Sequence, residues 1–160
     1  MTLSLDFRVA TAADDDALWG ILAPVFRAGE TYCVPRDIAR AEALSFWHAG
    51  HEVFVASDAL GTYYIGPNQK GGGAHVCNCG FVTAPAAQGR GVARAMLEHA
   101  LAHARSVGFR AMQFNFVIET NTRAISLWEA YGFETVGRLP GAFQTPDGRF
   151  VDARVMYLDL

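Results

Sequence analysis

The hexapeptide "QGRGVA", Gln88 to Ala93, lies between a β-branched run ending near Thr83 and a stretch, Gly89 to Val107, whose apolar residues recur with helical spacing. Val92, Met96, Ala100 and Ala104 repeat every four residues, with Leu97 and Leu101 beside them, so that helix has one buried face. A strand therefore enters a helix through a turn that carries two glycines. Such a turn presents free backbone N–H groups at the positive end of the helix dipole, and Gly89 and Gly91 let the backbone close around a pyrophosphate. Arg90 and Arg94 add charge at its rim. The plainer reading is a glycine-softened helix start with no ligand, but such a start rarely needs two glycines.

Two better-known phosphate loops do not fit. A P-loop requires a lysine followed by Ser or Thr after its last glycine, where this chain has Val92-Ala93. A dinucleotide fingerprint requires a third small residue and an acidic residue about 20 positions on.

Working outward, "LDFRVA" (Leu5 to Ala10) alternates like a strand, and "TAADDDALWGILAPVF" follows as a helix with Thr11 as its cap. Pro24 is expected to kink or end that helix. An irregular link, "ETYCVP", leads to a second helix over residues 36–48, with Ile38, Ala41 and Phe46 on its buried stripe. "EVFVAS" and "GTYYIG" read as an antiparallel hairpin, and "AHVCNCGFVT" (Ala74 to Thr83) as a central strand. "FRAMQFNFVI" is another buried strand, and Asn121 caps a helix over "TRAISLWEAY" that Gly132 terminates. "FETVGRL" and "RFVDARVMYLDL" close the chain as two strands joined by the turn-rich "PGAFQTPDG". The order β-α-α-β-β-β-α-β-α-β-β describes one α/β sheet domain spanning residues 1–160.

Composition narrows the function. Of 160 residues 51% are apolar, enough for one core, and the net charge of -3 comes with 13 dispersed Lys and Arg, so a nucleic-acid partner is not expected. No leader pattern or long apolar run is present, which predicts a soluble cytoplasmic protein that does not engage a membrane. Cys33, Cys77 and Cys79 read as thiols, and no Cys or His spacing suits a metal. His99 and His103 share one side of the third helix, but "HALAH" lacks a zincin glutamate, so a solvated or half-buried face is the better reading.

"QGRGVA" and "NTRAISLWEAYGF" together resemble the GNAT superfamily of N-acetyltransferases. The first matches Gln/Arg-x-x-Gly-x-Gly/Ala at Gln88, Gly91 and Ala93, and the second matches Asn-x-x-Ala-x-x-Leu…Gly-Phe at Asn121, Ala124, Leu127, Gly132 and Phe133. The resemblance implies a GNAT fold: a mixed sheet of about seven strands flanked by about four helices, with strands 4 and 5 parted. It implies acetyl-CoA as cosubstrate, its pantetheine inserted between those strands, with no metal. Phe81, Val82 and Thr83 would then hydrogen-bond the pantetheine and thioester through their backbone. Residues 89–94 would hold the phosphates, with Asn121 and Trp128 facing the slot. Homodimers are common on this fold, and nothing in these residues decides the point.

The family's usual catalytic groups are less plain. Trp128 stands where relatives commonly carry a tyrosine that protonates the leaving thiolate, and an indole cannot titrate. Tyr131, about 60° around the helix, is the nearest hydroxyl in it and a candidate acid, with anchoring of the helix end as its plainer role. Counting back from Thr83 in steps of two reaches Cys79, Cys77 and then His75, the best candidate base on that line. Asn78 and Asn115 sit inside apolar strands and line a pocket or bond internally, and Glu30 and Tyr32 are candidate substrate contacts. The leading expectation is acetyl transfer to a primary amine of a small molecule or peptide. The competing one is a non-catalytic acyl-CoA-binding module.

Overall fold

The computed structural model describes residues 4–160. Eleven principal elements follow one another: β1 (Phe7–Val9), α1 (Asp15–Ala28), α2 (Arg40–His48), β2 (Glu52–Ala56), β3 (Gly61–Pro67), β4 (Val76–Thr83), α3 (Val92–Ser106), β5 (Ala111–Ile118), α4 (Thr122–Ala130), β6 (Glu134–Gln144) and β7 (Phe150–Asp159). The strands form one seven-stranded sheet in the order β1-β2-β3-β4-β5-β7-β6, so β4 is central. Every neighbouring pair is antiparallel except β4 and β5, which run parallel. This is the mixed sheet with four α-helices that the sequence led us to expect.

Helices cover both faces. On one, Leu18, Ile21, Leu22 and Phe26 of α1 and Ala43 and Trp47 of α2 pack on Val53, Tyr64 and Val82. On the other, Val92, Met96, Leu97, Ala100, Leu101 and Ala104 of α3 and Ile125 and Trp128 of α4 pack on Cys77, Cys79, Phe114 and Met156. All six positions of the α3 repeat are buried, as its periodicity predicted.

Three local expectations need correction. Helix α1 runs through Pro24 to Ala28 instead of stopping there. Buried Ile21, Leu22 and Phe26 anchor the helix on either side of the proline, which outweighs the hydrogen bond the ring removes. In α2 the buried residues are Ala43 and Trp47, with Ile38 buried just before it, whereas Ala41 is exposed and Phe46, also exposed, edges the cleft described below. The last connection is shorter than "PGAFQTPDG" suggested, because β6 continues through Pro140 to Gln144. As the edge strand, β6 needs no N–H from Pro140 for an outer neighbour, and a register shift between Leu139 and Phe143 absorbs the turn-forming residues.

At the N-terminal end, Thr11 lies before a short 3-10 turn (Ala12–Asp14), with α1 starting at Asp15. Asp14 accepts the Thr11 N–H at 2.8 Å and a two-pronged contact from Arg8 at 2.8 and 2.6 Å. The Arg8 guanidinium, then the Thr11 amide, hold the Asp14 carboxyl down at about 2.

Candidate active site

The parallel pair β4 and β5 meets at only two positions, Val76 with Ala111 and Cys77 with Met112. Beyond them the strands part. A side chain reaches across the start of the fork: Asn78 Nδ2 donates to the Gln113 carbonyl at 2.9 Å. A cleft of about 860 Å³ occupies the opening, bounded by β4, β5, the α1–α2 link and the N-terminal ends of α3 and α4.

Backbone alternation determines what β4 shows to this gap. Val76 accepts from Asn68 N–H at 2.8 Å and Ala84 donates to Leu60 at 2.9 Å, so even-numbered residues turn their polar groups toward β3. Odd-numbered ones face the other way: the His75 carbonyl accepts from Arg110 N–H at 2.9 Å, and Phe81 accepts from the Tyr32 hydroxyl at 3.1 Å. The amides of Phe81 and Thr83 therefore point across the fork, where β5 no longer pairs with them. Val82, expected to present its backbone to the slot, turns it toward Thr62 of β3.

At the outer end of β4, Gly89 and Gly91 adopt φ of 75° and 83°, and nothing lies within 4 Å of where a side chain would project from either. Gly91 is the N-cap of α3, whose first turn carries no acidic residue. The first-turn amides of Val92, Ala93 and Arg94 are thus available to an anion. Gln88, Gly89, Gly91, Val92, Ala93 and Arg94 all line the cleft, while Arg90 is exposed outside the lining. These groups fit a pyrophosphate. Asn121 caps α4 by accepting the Ala124 N–H at 3.4 Å, and it lines the cleft as well.

Trp128 forms part of the wall. It is 8% exposed, and its ring packs on Phe81 at 5.3 Å and Phe114 at 4.9 Å between centroids. Across the fork, Tyr64 lies over Gly80, where an added Cβ would fall 2.4 Å from the tyrosine ring. Its hydroxyl donates to Asn78 Oδ1 at 3.3 Å, and burial pushes the phenol up to about 12. Burial likewise raises the Tyr32 phenol well above its usual value and keeps the Cys79 thiol protonated. Glu30, Tyr32, Asn78 and Asn115 share this lining with Thr31, Cys33 and Phe116. A smaller cavity of about 410 Å³ adjoins it through Glu30, Thr31 and Asn121, and reaches Asp147 and Arg149 of the β6–β7 turn.

Two candidate catalytic residues lie elsewhere. His75 is exposed in the turn before β4, about 26 Å from Thr83 for eight residues of extended chain, and is outside the lining. The count in steps of two kept to one edge of the strand but led away from the fork's open end. Tyr131 is also outside the lining: its hydroxyl donates to Glu98 and accepts from Arg94 Nη1 at 3.2 Å. Arg36 turns back to donate to the Arg27 carbonyl at 2.8 Å, bracing the link. The pairing of Tyr64 with Gly80 is signalled in the sequence only by an isolated glycine within a strand, a mark of close approach by another group.

Residues 16–133 match the profile of the acetyltransferase (GNAT) family. The N-acetyltransferase aca1 of Schizosaccharomyces pombe is 37% identical over 117 residues, which are 73% of this chain and 55% of that protein, so the chain spans about half the length of this relative. Among solved structures, a GCN5-related N-acetyltransferase from Kribbella flavida superposes with a TM-score of 0.91 at 39% identity, covering 98% of each chain. The protein yncA from Salmonella typhimurium, solved with its cofactor acetyl-CoA, gives a TM-score of 0.85 at 23% identity over 99% of this chain and 95% of its own, a likeness of fold.

Proposed function

Because the chain belongs to the acetyltransferase (GNAT) family, we propose that it transfers the acetyl group of acetyl-CoA directly to an amine, with both substrates bound together. The observation that carries this reading is the fork between β4 and β5, whose free edge at Phe81 and Thr83 suits a pantetheine arm lying alongside as a surrogate strand. The α3 cradle takes the pyrophosphate, and Trp128 forms the apolar wall of the slot. Amides on the open edge of β4 polarise the thioester carbonyl as oxyanion charge develops.

In the transfer step the amine nitrogen forms a bond to the acetyl carbon, the carbon–sulfur bond breaks, the nitrogen loses a proton and the CoA thiolate gains one. Tyr131 does not supply that proton, since its hydroxyl is held by Glu98 and Arg94 outside the cleft. Water entering the slot does. Glu30, the carboxylate of the lining, is the candidate to receive the amine's proton.

The test combines calorimetry with thiol release. Acetyl-CoA should bind, and free CoA should accumulate only when an amine is added. Failure to bind acetyl-CoA at millimolar concentration sinks the acetyltransferase reading. One equivalent of CoA released without an amine, leaving an acetylated protein, sinks direct transfer. Tight binding with no turnover across amines and peptides would favour a non-catalytic acyl-CoA-binding role.

Among the described residues no helix is long and apolar enough to cross a membrane.

A further inference from the structure

Much of the hydrogen-bonding capacity at the inner end of the cleft is already used, and the remainder describes a ligand. Asn78 Nδ2 donates to the Gln113 carbonyl at 2.9 Å, and because a carbonyl only accepts, the orientation of that amide is fixed. Its Oδ1 accepts from Tyr64. Asn115 donates to Asn68 Oδ1 at 2.7 Å and accepts from Gln113 Nε2 at 2.9 Å. Turning these last three amides over together leaves the count unchanged. An amide nitrogen carries two donors, so Asn78 and Asn115 each retain one N–H.

The two tyrosines are left with the opposite capacity. Tyr32 and Tyr64 each have a single hydroxyl proton, committed to the Phe81 carbonyl and to Asn78 Oδ1. Only their oxygen lone pairs remain. All four side chains line the same cleft, together with the Glu30 carboxylate. Asn115 is brought there by a break in β5: the β5–β7 register shifts between Phe114 and Val117, releasing Asn115 and Phe116 from regular pairing. Gln113 joins the two asparagines, bonding one through its carbonyl and the other through its side chain.

Resting on the acetyltransferase reading above, we propose that the acceptor is a small free amino acid, its carboxylate taken by the spare N–H groups of Asn78 and Asn115 and its amine directed to Tyr32 and Tyr64. A carboxylate only accepts, which matches the asparagine pair. An amine donates through N–H while its lone pair attacks, which matches the phenol oxygens. Phe46 and Phe116 belong to the apolar lining and offer a surface against which a short side chain packs. An amine lacking the carboxylate leaves both asparagine donors facing nothing, and an amide puts a second donor against them.

The experiment uses the full chain with saturating acetyl-CoA and compares the standard amino acids, their carboxamides and the matching decarboxylated amines. For the best amino acid, kcat/KM should exceed that of its amide and its amine by about tenfold or more, the effect of a hydrogen bond to a charged group. Asn115→Asp should raise KM for the amino acid by about tenfold or more, and Asn115→Ala by less, since aspartate also repels the carboxylate. Acetyl-CoA affinity, measured by calorimetry, should stay within about twofold in both variants, which shows that the cleft is still formed. Amides and decarboxylated amines used as well as the acids, with Asn115→Asp indifferent, would overturn the carboxylate site while leaving acetyl transfer in place. No acetylation of any amine by a chain that binds acetyl-CoA would overturn both.

Discussion

Trp128 of α4 and Tyr131, which caps the end of that helix, are three residues apart and serve opposite surroundings. Trp128 is in the cleft wall, whereas the Tyr131 hydroxyl sits between Glu98 and Arg94 on α3. Removing that hydroxyl cannot remove a proton donor from the slot. We expect Tyr131→Phe to hold kcat within a few-fold of the parent, and a steady-state assay reading about a 100-fold loss with unchanged thermal stability would reinstate it as the acid. A second residue reports on stability. His99 Nδ1 lies 2.6 Å from the buried Tyr63 hydroxyl, and its ring stacks parallel to His103, which in turn contacts Glu52 at 2.6 Å. Burial, and then the charge of His103, hold His99 below its usual value. The folded chain thus binds this proton less readily than the unfolded one, so His99 contributes full stability above about pH 6.5, and that contribution drains away as the pH falls below it. Thermal melts between pH 7.5 and 5.5 should show the parent losing more stability than His99→Gln, and equal losses would discard the assignment.

The elements show what a sequence can and cannot reveal. Helix α3 was legible because six apolar residues mark one face, and the cradle was legible because two glycines stand where a helix begins. Pro24 and the Pro140–Gln144 segment misled, since local turn chemistry was overruled by buried anchors in α1 and by an edge position in β6. The far placement of His75 was hidden because residue parity along a strand gives the facing edge but not which end opens. Nor could contacts over long separations be read, such as Tyr32 with Phe81 or Asn78 with Gln113. The fit of β3 against β4 at Gly80 can be tested on its own. In Gly80→Ala the new Cβ would meet the Tyr64 ring at 2.4 Å, so the ring must move and its bond to Asn78 is lost. Such overpacking costs about 1–3 kcal/mol. We expect KM for the acceptor to rise by about tenfold while acetyl-CoA affinity changes little, because the tyrosine is one of the proposed acceptor contacts. Equal losses of both affinities would mean that the whole slot had collapsed.

Across the whole molecule, the sheet is continuous from β1 to β4 and from β5 to β6, and backbone pairing joins the two halves only near the start of β4 and β5, with side-chain bonds from Asn78 to Gln113 and from Asn115 to Asn68 beyond it. A ligand that fills the fork should therefore act as a missing strand and stabilise both halves together. At one hundred times its dissociation constant, acetyl-CoA would add about 2.7 kcal/mol, raising the melting temperature by about 5–10 °C for a chain of this size. Any tight ligand stabilises its protein, so the distinguishing measurement is hydrogen exchange resolved to single amides along β4. Gly80 and Val82 already face β3 and should be protected with or without ligand. Phe81 and Thr83 face the gap, and their amides should exchange quickly in the free protein and slow by about tenfold or more when acetyl-CoA is bound. An alternating pattern, odd residues changing and even ones not, is what a strand-like ligand on one edge imposes. Uniform slowing along β4 would instead mean that the ligand tightens the fold without lying beside that strand, and the surrogate-strand geometry would have to be abandoned.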